Sequence, residues 1–431
     1  MLERRKPLDL LFPLEGGASK KVGVDGERIS HLDRLRAAVT LTKDAVKAVS
    51  LTAMEALREG AALVGIVGEQ DELIDPFYHL DAPIWARDPP LELLRLAYSY
   101  CEELTMREAG NFYHSFKYLP DEQRQAMCAV YAFCRRADDI ADGDWQDRFP
   151  GSMGEIDPEA VAYREKLESL QNKDTILKEE MYLEKITQLF FFRKKLSTCY
   201  SEVSSTDPVF LALKDTVNKY NIPRSVFDDL ITGMEDDLYN NRYRTFDELY
   251  LYCYRVASVV GLMCIEIYGY EDPMAKKYAE SWGIFMQLTN VLRDIGEDIE
   301  RDRVYLPLDE LEANGIQESE LDGNVVLNTT WEPYIHHYAK RARTYLKEAK
   351  KLLPLLPRRS RYSPAAMIAF YDKILRQIER QQGDVFTKRV KLNKIQKLSL
   401  AAAVYLRHRF IPGWLNPVWS GLSKFGILPN V

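Results

Sequence analysis

The chain has 431 residues, of which 46% are hydrophobic and 29% are charged, as is ordinary for a globular protein. Its formal net charge of −7 argues against a broad nucleic-acid-binding surface, so we expect no nucleic-acid partner. The six cysteines show no C-x-x-C spacing and mostly lie in apolar stretches, which predicts reduced thiols and a cytoplasmic protein. No apolar run reaches the ~18 residues that cross a bilayer, so we expect a soluble protein or at most a peripheral one.

The first 90 residues are predicted to form an N-terminal extension that is partly helical and of unknown function. An amphipathic pattern from about Leu32 to Val67 predicts a helix, and the prolines between Asp75 and Pro90 predict a linker. The apolar face of this helix is rich in alanine and only moderately hydrophobic. We therefore expect the helix to pack on the main domain rather than on a membrane or a partner.

The main domain is predicted to span residues 91–410 and to consist of helices. Alternating strand patterns are essentially absent, Pro120 and Pro273 mark helix starts, and Gly269 marks a helix end. The predicted helices are Leu91–Ala109, Pro120–Ala141, Pro158–Leu170, Lys178–Thr198, Asp207–Tyr220, Arg224–Leu238, Thr245–Tyr268, Pro273–Ile299, Trp331–Leu353 and Ala365–Gln382. They predict an all-α fold, a single large helical bundle with a central cavity in which facing helices can build a metal site.

One acidic pattern, Asp-x-x-x-Asp, occurs twice in this helical domain. Asp138 and Asp142 share one helix face, and so do Asp294 and Asp298. Like charges at this spacing cost a helix about 0.2–0.5 kcal/mol unless a cation compensates them. The two motifs therefore predict two walls of a cavity that holds divalent cations. Oxygen ligands favour Mg²⁺ or Mn²⁺ over zinc, and Mg²⁺ in such sites is usually shared with substrate phosphates.

The two copies differ in how strongly they indicate a site. Taken alone, the first copy has an alternative interpretation as a solvated helix end with exposed pairs such as Arg135 and Asp139. The second copy belongs to a polar stripe in an otherwise apolar segment. The stripe consists of Gln287, Asn290, Arg293, Asp294, Glu297 and Asp298. Buried polar groups need partners, and a bound cation and anion would supply them.

Four segments carry a resemblance to a known family. They are NFYHSFKYLP (111–120), YAFCRRADDIAD (131–142), YCYRVASVVG (252–261) and QLTNVLRDIGEDIERDRVYLP (287–307). Over roughly residues 91–400 the chain resembles the squalene/phytoene synthase family of head-to-head prenyl synthases, and within it the bacterial phytoene and presqualene diphosphate synthases. The resemblance implies a helical bundle of the isoprenoid synthase (class I terpenoid synthase) type.

The resemblance also implies roles for residues of this chain. It implies that Tyr252 is catalytic, together with the aspartates of both acidic motifs. The implied ligands of Mg²⁺, or of Mn²⁺ in its place, are Asp138, Asp142, Asn290, Asp294 and Asp298. The groups implied to bind the substrate diphosphates are Arg135, Gln287, Asn290, Arg293, Tyr131 and Tyr371. The residues expected to line an apolar substrate tunnel are Ser115, Phe116, Val256, Ala257 and Gly261. Tight helix packing is the alternative for the small residues, and an ordinary core position is the alternative for Tyr371.

The implied reaction joins two prenyl diphosphates head to head, 1′-to-1, through a cyclopropylcarbinyl diphosphate. The preferred interpretation is two geranylgeranyl diphosphates giving phytoene, and the alternative is farnesyl diphosphate giving presqualene diphosphate or squalene. NADPH is not indicated, because no glycine-rich dinucleotide fingerprint is visible, although this family's use of NADPH would not require one. The sequence DDIAD directly after Arg135, Arg136 and Ala137 is a poor match to the acidic motifs of head-to-tail prenyl synthases and of cyclases. A non-catalytic isoprenoid-binding protein would have no reason to keep four like-charged carboxylates.

The apolar C-terminal tail, residues 411–431, is rich in aromatic residues but interrupted by prolines and glycines. Because the implied product is a lipid, we expect this tail to make a peripheral contact with a bilayer surface. Removing residues 411–431 should then reduce sedimentation of the protein with phospholipid vesicles, and unchanged sedimentation would contradict the expectation. No pattern in the sequence predicts the oligomeric state.

Overall fold

The computed structural model describes residues 91–109, 113, 115–143, 180–205, 207–321, 325–326, 328–386 and 389–410. The N-terminal extension, the predicted helix Pro158–Leu170 and the tail 411–431 lie outside these ranges, so what the sequence predicts for them stays a prediction. Within the described ranges the chain is helical, and its β-structure is limited to an isolated bridge between Arg242 and Val304. The predicted all-α fold is confirmed for this part of the chain.

The helices of the described residues lie close to the predicted bounds. In chain order they are α1 (Leu91–Glu108), α2 (Asp121–Asp142), α3 (Glu180–Leu196), α4 (Pro208–Tyr220), α5 (Arg224–Tyr239), α6 (Phe246–Cys253), α7 (Val259–Tyr268), α8 (Met274–Ile299), α9 (Leu308–Ala313), α10 (Trp331–Ala349), α11 (Tyr362–Arg380) and α12 (Lys394–Phe410). Short 3₁₀ segments follow α3 at Ser197–Tyr200 and α10 at Lys350–Leu355. At these two places the predicted helix extends beyond the end of the α-helix, and the 3₁₀ segment accounts for the difference.

The sequence patterns do not predict α9 and α12. Helix α9 has only six residues, which is too short for a helical repeat to be evident. The apolar side chains of α12 do not form one buried stripe, because Ile395 and Leu398 are exposed while Val404 is buried. Both helices therefore depend on their tertiary setting more than on a local pattern.

Helix α7 is the common neighbour of the two helices that carry the acidic motifs. It packs on α2, which holds the first motif, and on α8, which holds the second. Helix α2 also packs on α1, α4 and α5, whereas α8 packs on α10 and α11. The two motifs therefore belong to different parts of one packed bundle, as expected for two walls of a site.

Between α6 and α7 the backbone forms a π-helical turn, Tyr254–Ser258, where the sequence predicts a continuous helix. The turn lies so close to Gly283 of α8 that a Cβ atom on Gly283 would be 2.4 Å from the Cα atom of Ser258. The Ser258 hydroxyl also donates a hydrogen bond to the Glu280 carbonyl oxygen of α8, at 2.9 Å. The close approach of α8 thus accompanies the departure from α-helical geometry. Such π turns are frequent at functional sites, and this one follows Tyr252.

The stretch Phe246–Tyr268 reaches the length and hydropathy of a membrane span, contrary to the expectation from the sequence. However, 61% of its most apolar window is buried inside the fold, in residues such as Val259 and Ile265. Burial in the core therefore accounts for its apolar character. The six cysteines are all buried and unpaired, as the sequence predicts.

Candidate active site

The first acidic motif lies in the last turns of α2 and is buried. Asp138 is fully buried and Arg135 is 2% exposed, and Tyr131, one turn earlier, is buried as well. The Arg135 guanidinium lies 3.6 Å from Asp138 and 3.1 Å from Asp139, with Glu108 of α1 at 3.9 Å. The interpretation of this motif as a solvated helix end is therefore wrong, because its central charges lie inside the fold.

The second motif brings its predicted polar residues together on α8. Gln287 and Asn290 are fully buried, and Asp298 is 3% exposed. The Asn290 side-chain amide donates a hydrogen bond to the Gln287 amide oxygen at 3.2 Å. Within the described residues, Asn290 Oδ1, Asp298 Oδ2 and Gln287 Nε2 have no hydrogen-bond partner. Helix α8 therefore carries two unpartnered oxygens that suit a cation and one unpartnered N–H donor that suits an anion.

Asp294 differs from Asp298 because two arginines already hold it. Arg293 donates to both of its carboxylate oxygens, at 2.9 and 3.1 Å. Arg389, which follows α11, donates to Asp294 Oδ1 at 2.9 and 2.6 Å and lies 3.2 Å from Glu297. Arg293 also donates to the Tyr371 hydroxyl, and burial raises the pKa of Tyr371. Tyr371 therefore belongs to the surroundings of the second motif, while Arg389 has a contact there that the sequence did not predict.

The pKa of Asp298 is raised well above the ordinary value for an aspartate. Burial is the main cause, and the negative charge of Asp294, one helical turn earlier, adds to it. Arg303 and Arg301 act in the opposite direction without cancelling the shift. Asp298 is thus a carboxylate whose negative charge lacks full compensation from the described protein groups, as expected for a cation ligand.

Arg303 connects the two motifs electrostatically. Its guanidinium interacts with Asp298 of the second motif and with Asp142 at the end of the first. Burial acts against the charge of Arg303, but Tyr305, Asp237 and Asp142 more than offset burial and raise its pKa. Asp298, Arg303 and Tyr305 line one small cavity together with aliphatic side chains. Both acidic motifs therefore face the charge of one guanidinium.

The donor set fits a divalent cation that is bound together with phosphate. The unpartnered Asn290 Oδ1 and Asp298 Oδ2 are hard oxygen donors of the kind that Mg²⁺ prefers. No group of three His, Cys, Asp or Glu side chains in the described ranges comes close enough to hold an ion by itself. Protein-bound Mg²⁺ usually takes one or two carboxylates and completes its octahedron with water and phosphate oxygens. A site completed by a substrate diphosphate agrees with both observations.

Tyr252 lies in a buried tyrosine cluster around Asp237. The Tyr252 hydroxyl donates to Asp237 Oδ2 at 3.1 Å, and the Tyr305 hydroxyl donates to Asp237 Oδ1 at 3.1 Å. The Tyr252 and Tyr305 rings stack with centroids 5.2 Å apart, and Tyr243 covers both rings at 5.2 and 5.8 Å. The sequence patterns predict no role for Asp237, Tyr305 or Tyr243.

One signal for Asp237 is nevertheless present in the sequence. Glu235, Asp236 and Asp237 are consecutive residues of α5. The first and third of three consecutive helical residues differ in direction by about 200°, so an acidic run of this kind cannot face solvent as a whole. Asp237 is 7% exposed and Glu235 is 3% exposed. Buried carboxylates in such a run are candidates for a functional site.

The residues predicted to line a substrate tunnel lie in packed surroundings. Ser115 is buried and lies 3.2 Å from the Ser363 hydroxyl of α11, and Phe116 is buried beside it. Val256 and Ala257 are buried in the π turn, where Val256 faces α5. A Cβ atom on Gly261 would lie 2.9 Å from the carbonyl oxygen of Ala279 on α8. The alternative of tight helix packing thus describes the surroundings of Gly261, and the tunnel role of this set stays a prediction.

Comparison with known proteins decides the family. A profile of the squalene/phytoene synthase family matches residues 105–396. The chain belongs to the squalene/phytoene synthase family. Phytoene synthase 2 of Oryza sativa subsp. japonica is 35% identical to it over 359 residues, which are 80% of this chain and 81% of the rice protein. Phytoene synthase 1 of Zea mays is 34% identical over 340 residues, 77% of this chain and 74% of the maize protein. Both plant proteins are chloroplastic by name.

Solved structures of the family share the fold. A dehydrosqualene synthase in complex with a ligand superposes with a TM-score of 0.59 and 26% identity, and the match covers 73% of this chain and 98% of that one. A squalene synthase from Alicyclobacillus acidocaldarius superposes with a TM-score of 0.55 and 24% identity, covering 68% of this chain and 97% of that one. The resemblance inferred from the four sequence segments is confirmed, and so is the isoprenoid synthase fold.

Membership of the squalene/phytoene synthase family makes the chain a prenyltransferase of the head-to-head type. The family acts on prenyl diphosphates and uses a divalent metal to bind them. The roles of individual residues, the metal ligands included, stay predictions at this point.

Proposed function

We propose that this squalene/phytoene synthase family member joins two geranylgeranyl diphosphates head to head to form phytoene, with Mg²⁺ held between the two acidic motifs. The identity of 35% with a rice phytoene synthase over 80% of the chain supports the C20 substrate. The reaction passes through a cyclopropylcarbinyl diphosphate and ends with the loss of a proton, so it needs no NADPH.

The observation that carries this proposal is the pair of unpartnered oxygens on α8. Asn290 Oδ1 and Asp298 Oδ2 are buried, and no hydrogen bond within the described residues satisfies them. The Arg303 charge, which interacts with both Asp298 and Asp142, supports a site between the two motifs. Buried polar atoms without partners are rare in native proteins, so a bound cation is the natural partner here.

Oxygen donors from two helices would hold the metal. The donors are Asp138 and Asp142 of α2 and Asn290, Asp294 and Asp298 of α8. Bound Mg²⁺ neutralises the charge that a diphosphate leaving group gains as its allylic C–O bond breaks. Asp294 is engaged by Arg293 and Arg389. With Mg²⁺ bound at Asp294, these two guanidiniums would be free to donate to phosphate oxygens, for which arginine is well suited.

Further donors on both helices orient the diphosphates. Gln287 Nε2 has no partner among the described residues and suits a phosphate oxygen. Arg135 lies among carboxylates of the first motif, and Tyr131 is buried one turn away from it. Tyr371 accepts a hydrogen bond from Arg293 and is thereby held beside Asp294. Such pre-positioned donors stabilise developing negative charge without reorganisation.

Tyr252 acts on the hydrocarbon part of the reaction. Its phenol is 1% exposed, and the surrounding tyrosine rings exclude water. Exclusion of water matters because an allylic cation is quenched on contact with it. Tyr252 removes the proton whose loss closes the cyclopropane ring.

A C15 substrate is the second candidate. The dehydrosqualene synthase that superposes with a TM-score of 0.59 favours it, at 26% identity. In that case two farnesyl diphosphates give presqualene diphosphate, or squalene when NADPH supplies a hydride. The length of the accepted chain depends on how far the tunnel extends beyond the metal site.

A product assay distinguishes these candidates. Purified protein with Mg²⁺ is offered geranylgeranyl or farnesyl diphosphate, each with and without NADPH, and the extracts are analysed by mass spectrometry. We expect a C40 hydrocarbon from the C20 substrate, in equal amount with and without NADPH, and no product in EDTA. A C30 diphosphate or hydrocarbon from the C15 substrate alone would replace phytoene formation by the second candidate. No product from either substrate would favour a non-catalytic isoprenoid-binding protein.

We further propose that the protein works in the cytoplasm and touches a membrane through residues 411–431. The chloroplast location in the plant names belongs to those proteins. Cell fractionation followed by immunoblotting tests the location, and the vesicle assay described above tests the contact.

A further inference from the structure

The carboxylate of Asp237 is held between two phenols. Tyr252 donates to its Oδ2 atom and Tyr305 donates to its Oδ1 atom, both at 3.1 Å. The three side chains come from three separate segments: α5, α6 and the loop before α9. A carboxylate oxygen accepts hydrogen bonds only, so the direction of both bonds is fixed while Asp237 is ionised.

This geometry also fixes how Tyr252 presents its oxygen. A phenol has one proton, and the Tyr252 proton is directed to Asp237, since the Tyr305 hydroxyl is farther away at 3.4 Å. The lone pairs of the Tyr252 oxygen are therefore available to accept a proton from another group. A tyrosine that donates to a buried carboxylate is more basic than a free phenol, because its own proton can move to that carboxylate.

The surroundings of Asp237 suit a proton acceptor. Burial raises its pKa to about 6, while Arg303 and the hydrogen bonds from Tyr252 and Tyr305 oppose the rise. The other nearby ionisable groups are Asp236, which raises the pKa of Asp237, Asp298, whose negative charge interacts with that of Asp237, and Tyr243, whose ring lies against both phenols. An ordinary aspartate, with a pKa near 3.9, would hold an accepted proton less well at neutral pH.

We propose that Asp237 is a positioning residue that orients the Tyr252 phenol and receives its proton when Tyr252 takes a proton from the reacting prenyl chain. This proposal rests on the proposed function, because it needs a proton-loss step. In that step a substrate C–H bond breaks, and its electron pair forms the C–C bond that closes the three-membered ring. The substrate proton goes to the Tyr252 oxygen as the phenol proton moves to Asp237 Oδ2. Asp237 becomes a neutral acid and returns its proton to water once the products have left.

Tyr305 keeps the Asp237 carboxylate in position for this proton transfer. Its hydrogen bond to Oδ1 prevents the carboxylate from rotating away from Tyr252. Its ring lies nearly parallel to that of Tyr252, at an interplanar angle of 20°. The pair of phenols thus defines one position for the carboxylate and one for the acceptor oxygen.

The Asp237→Asn variant tests the proposal. Asparagine keeps the size and one acceptor oxygen of the side chain but cannot take the proton. With geranylgeranyl diphosphate and Mg²⁺ we expect kcat to fall by about 100-fold, in the usual range for loss of acid–base assistance. The KM is expected to stay within about threefold of the wild-type value, because Asp237 does not contact the diphosphate-binding groups. The Asp237→Glu variant, which restores a carboxylate, should recover part of the lost kcat.

The matched control is Asp236→Asn, the same chemical change one residue earlier on α5. Asp236 forms an ion pair with Arg255 at 2.6 Å and does not contact the phenols, so its kcat should stay near that of wild type. A wild-type kcat in Asp237→Asn would overturn this proposal and leave the proposed function untouched. So would equal losses in Asp236→Asn and Asp237→Asn accompanied by equal losses of melting temperature, because the role would then be structural. If wild-type protein forms no product from geranylgeranyl or farnesyl diphosphate, the proposed function fails and this proposal fails with it.

Discussion

The Asp294→Asn variant is expected to lose product formation by about a thousandfold while its helices stay folded. A metal that stabilises a leaving group contributes several kcal/mol to the transition state, and about 1.4 kcal/mol corresponds to a tenfold change in rate. Asparagine keeps the shape of Asp294 but removes the negative charge that a metal ligand supplies. The measurement is the rate of formation of the prenyl product at saturating Mg²⁺, with circular dichroism to follow the helices.

The same variant is expected to be less stable than wild type. Arg293 is 2% exposed, and Arg389, whose side chain is 12% exposed, also donates to Asp294. Removal of one partner from a buried ion pair leaves an uncompensated charge and typically costs about 3–5 kcal/mol. The Asn side chain still accepts one hydrogen bond, so we expect a loss of about 2–4 kcal/mol in the free energy of unfolding.

The control for Asp294→Asn is Glu300→Gln, which removes an exposed carboxylate at the end of the same helix. Glu300→Gln should change neither the rate nor the free energy of unfolding by a measurable amount. Full activity of Asp294→Asn would contradict its assignment as a metal ligand. Reduced activity in both variants would instead indicate a general effect of charge at this end of α8.

The acidic motifs could be predicted because their information is local. Asp294 and Asp298 are one helical turn apart, and Gln287 and Asn290 extend the same stripe, so helical geometry alone places them together on α8. The order of these motifs along the chain is also that of the squalene/phytoene synthase family, which carried the resemblance. The same holds for the all-α fold, since helical periodicity is the strongest pattern in the main domain.

Contacts between distant segments could not be predicted in this way. Arg389 holds Asp294 across 95 positions of sequence, and Tyr305 meets Asp237 across 68. A single sequence contains no signal for such pairs, because they depend on how the helices pack. The π turn after Tyr252 has the same origin, since it lies against the backbone of Gly283 on another helix. The catalytic surroundings of Tyr252 are therefore a property of the packed bundle rather than of any one segment.

The Asp298→Asn variant is expected to lose activity but, in EDTA at pH 8, to be more stable than wild type. Asp298 is 3% exposed, its Oδ2 atom has no hydrogen-bond partner in the described part of the chain, and its pKa is raised well above the ordinary value. A carboxyl group of this kind binds its proton more tightly in the folded chain than in the unfolded chain. The wild-type protein without metal therefore loses stability as the pH rises from about 4, the ordinary aspartate value, through the raised pKa of Asp298.

Asparagine escapes this loss because it carries no charge at any pH. Thermal unfolding in EDTA should therefore show similar melting temperatures for Asp298→Asn and wild type at about pH 4, and a higher melting temperature for the variant at pH 8. Mg²⁺ with inorganic pyrophosphate should raise the melting temperature of wild type and have little effect on the variant, because ligand binding to the folded state alone stabilises it. Asp294→Asn is expected to lower the stability instead, because Asp294 is paired with two arginines. The two variants therefore distinguish a metal ligand held in an ion pair from one that is not. A variant less stable than wild type at pH 8 in EDTA would mean that Arg303 and Arg301 already compensate Asp298, and the cation would then have to be sought elsewhere.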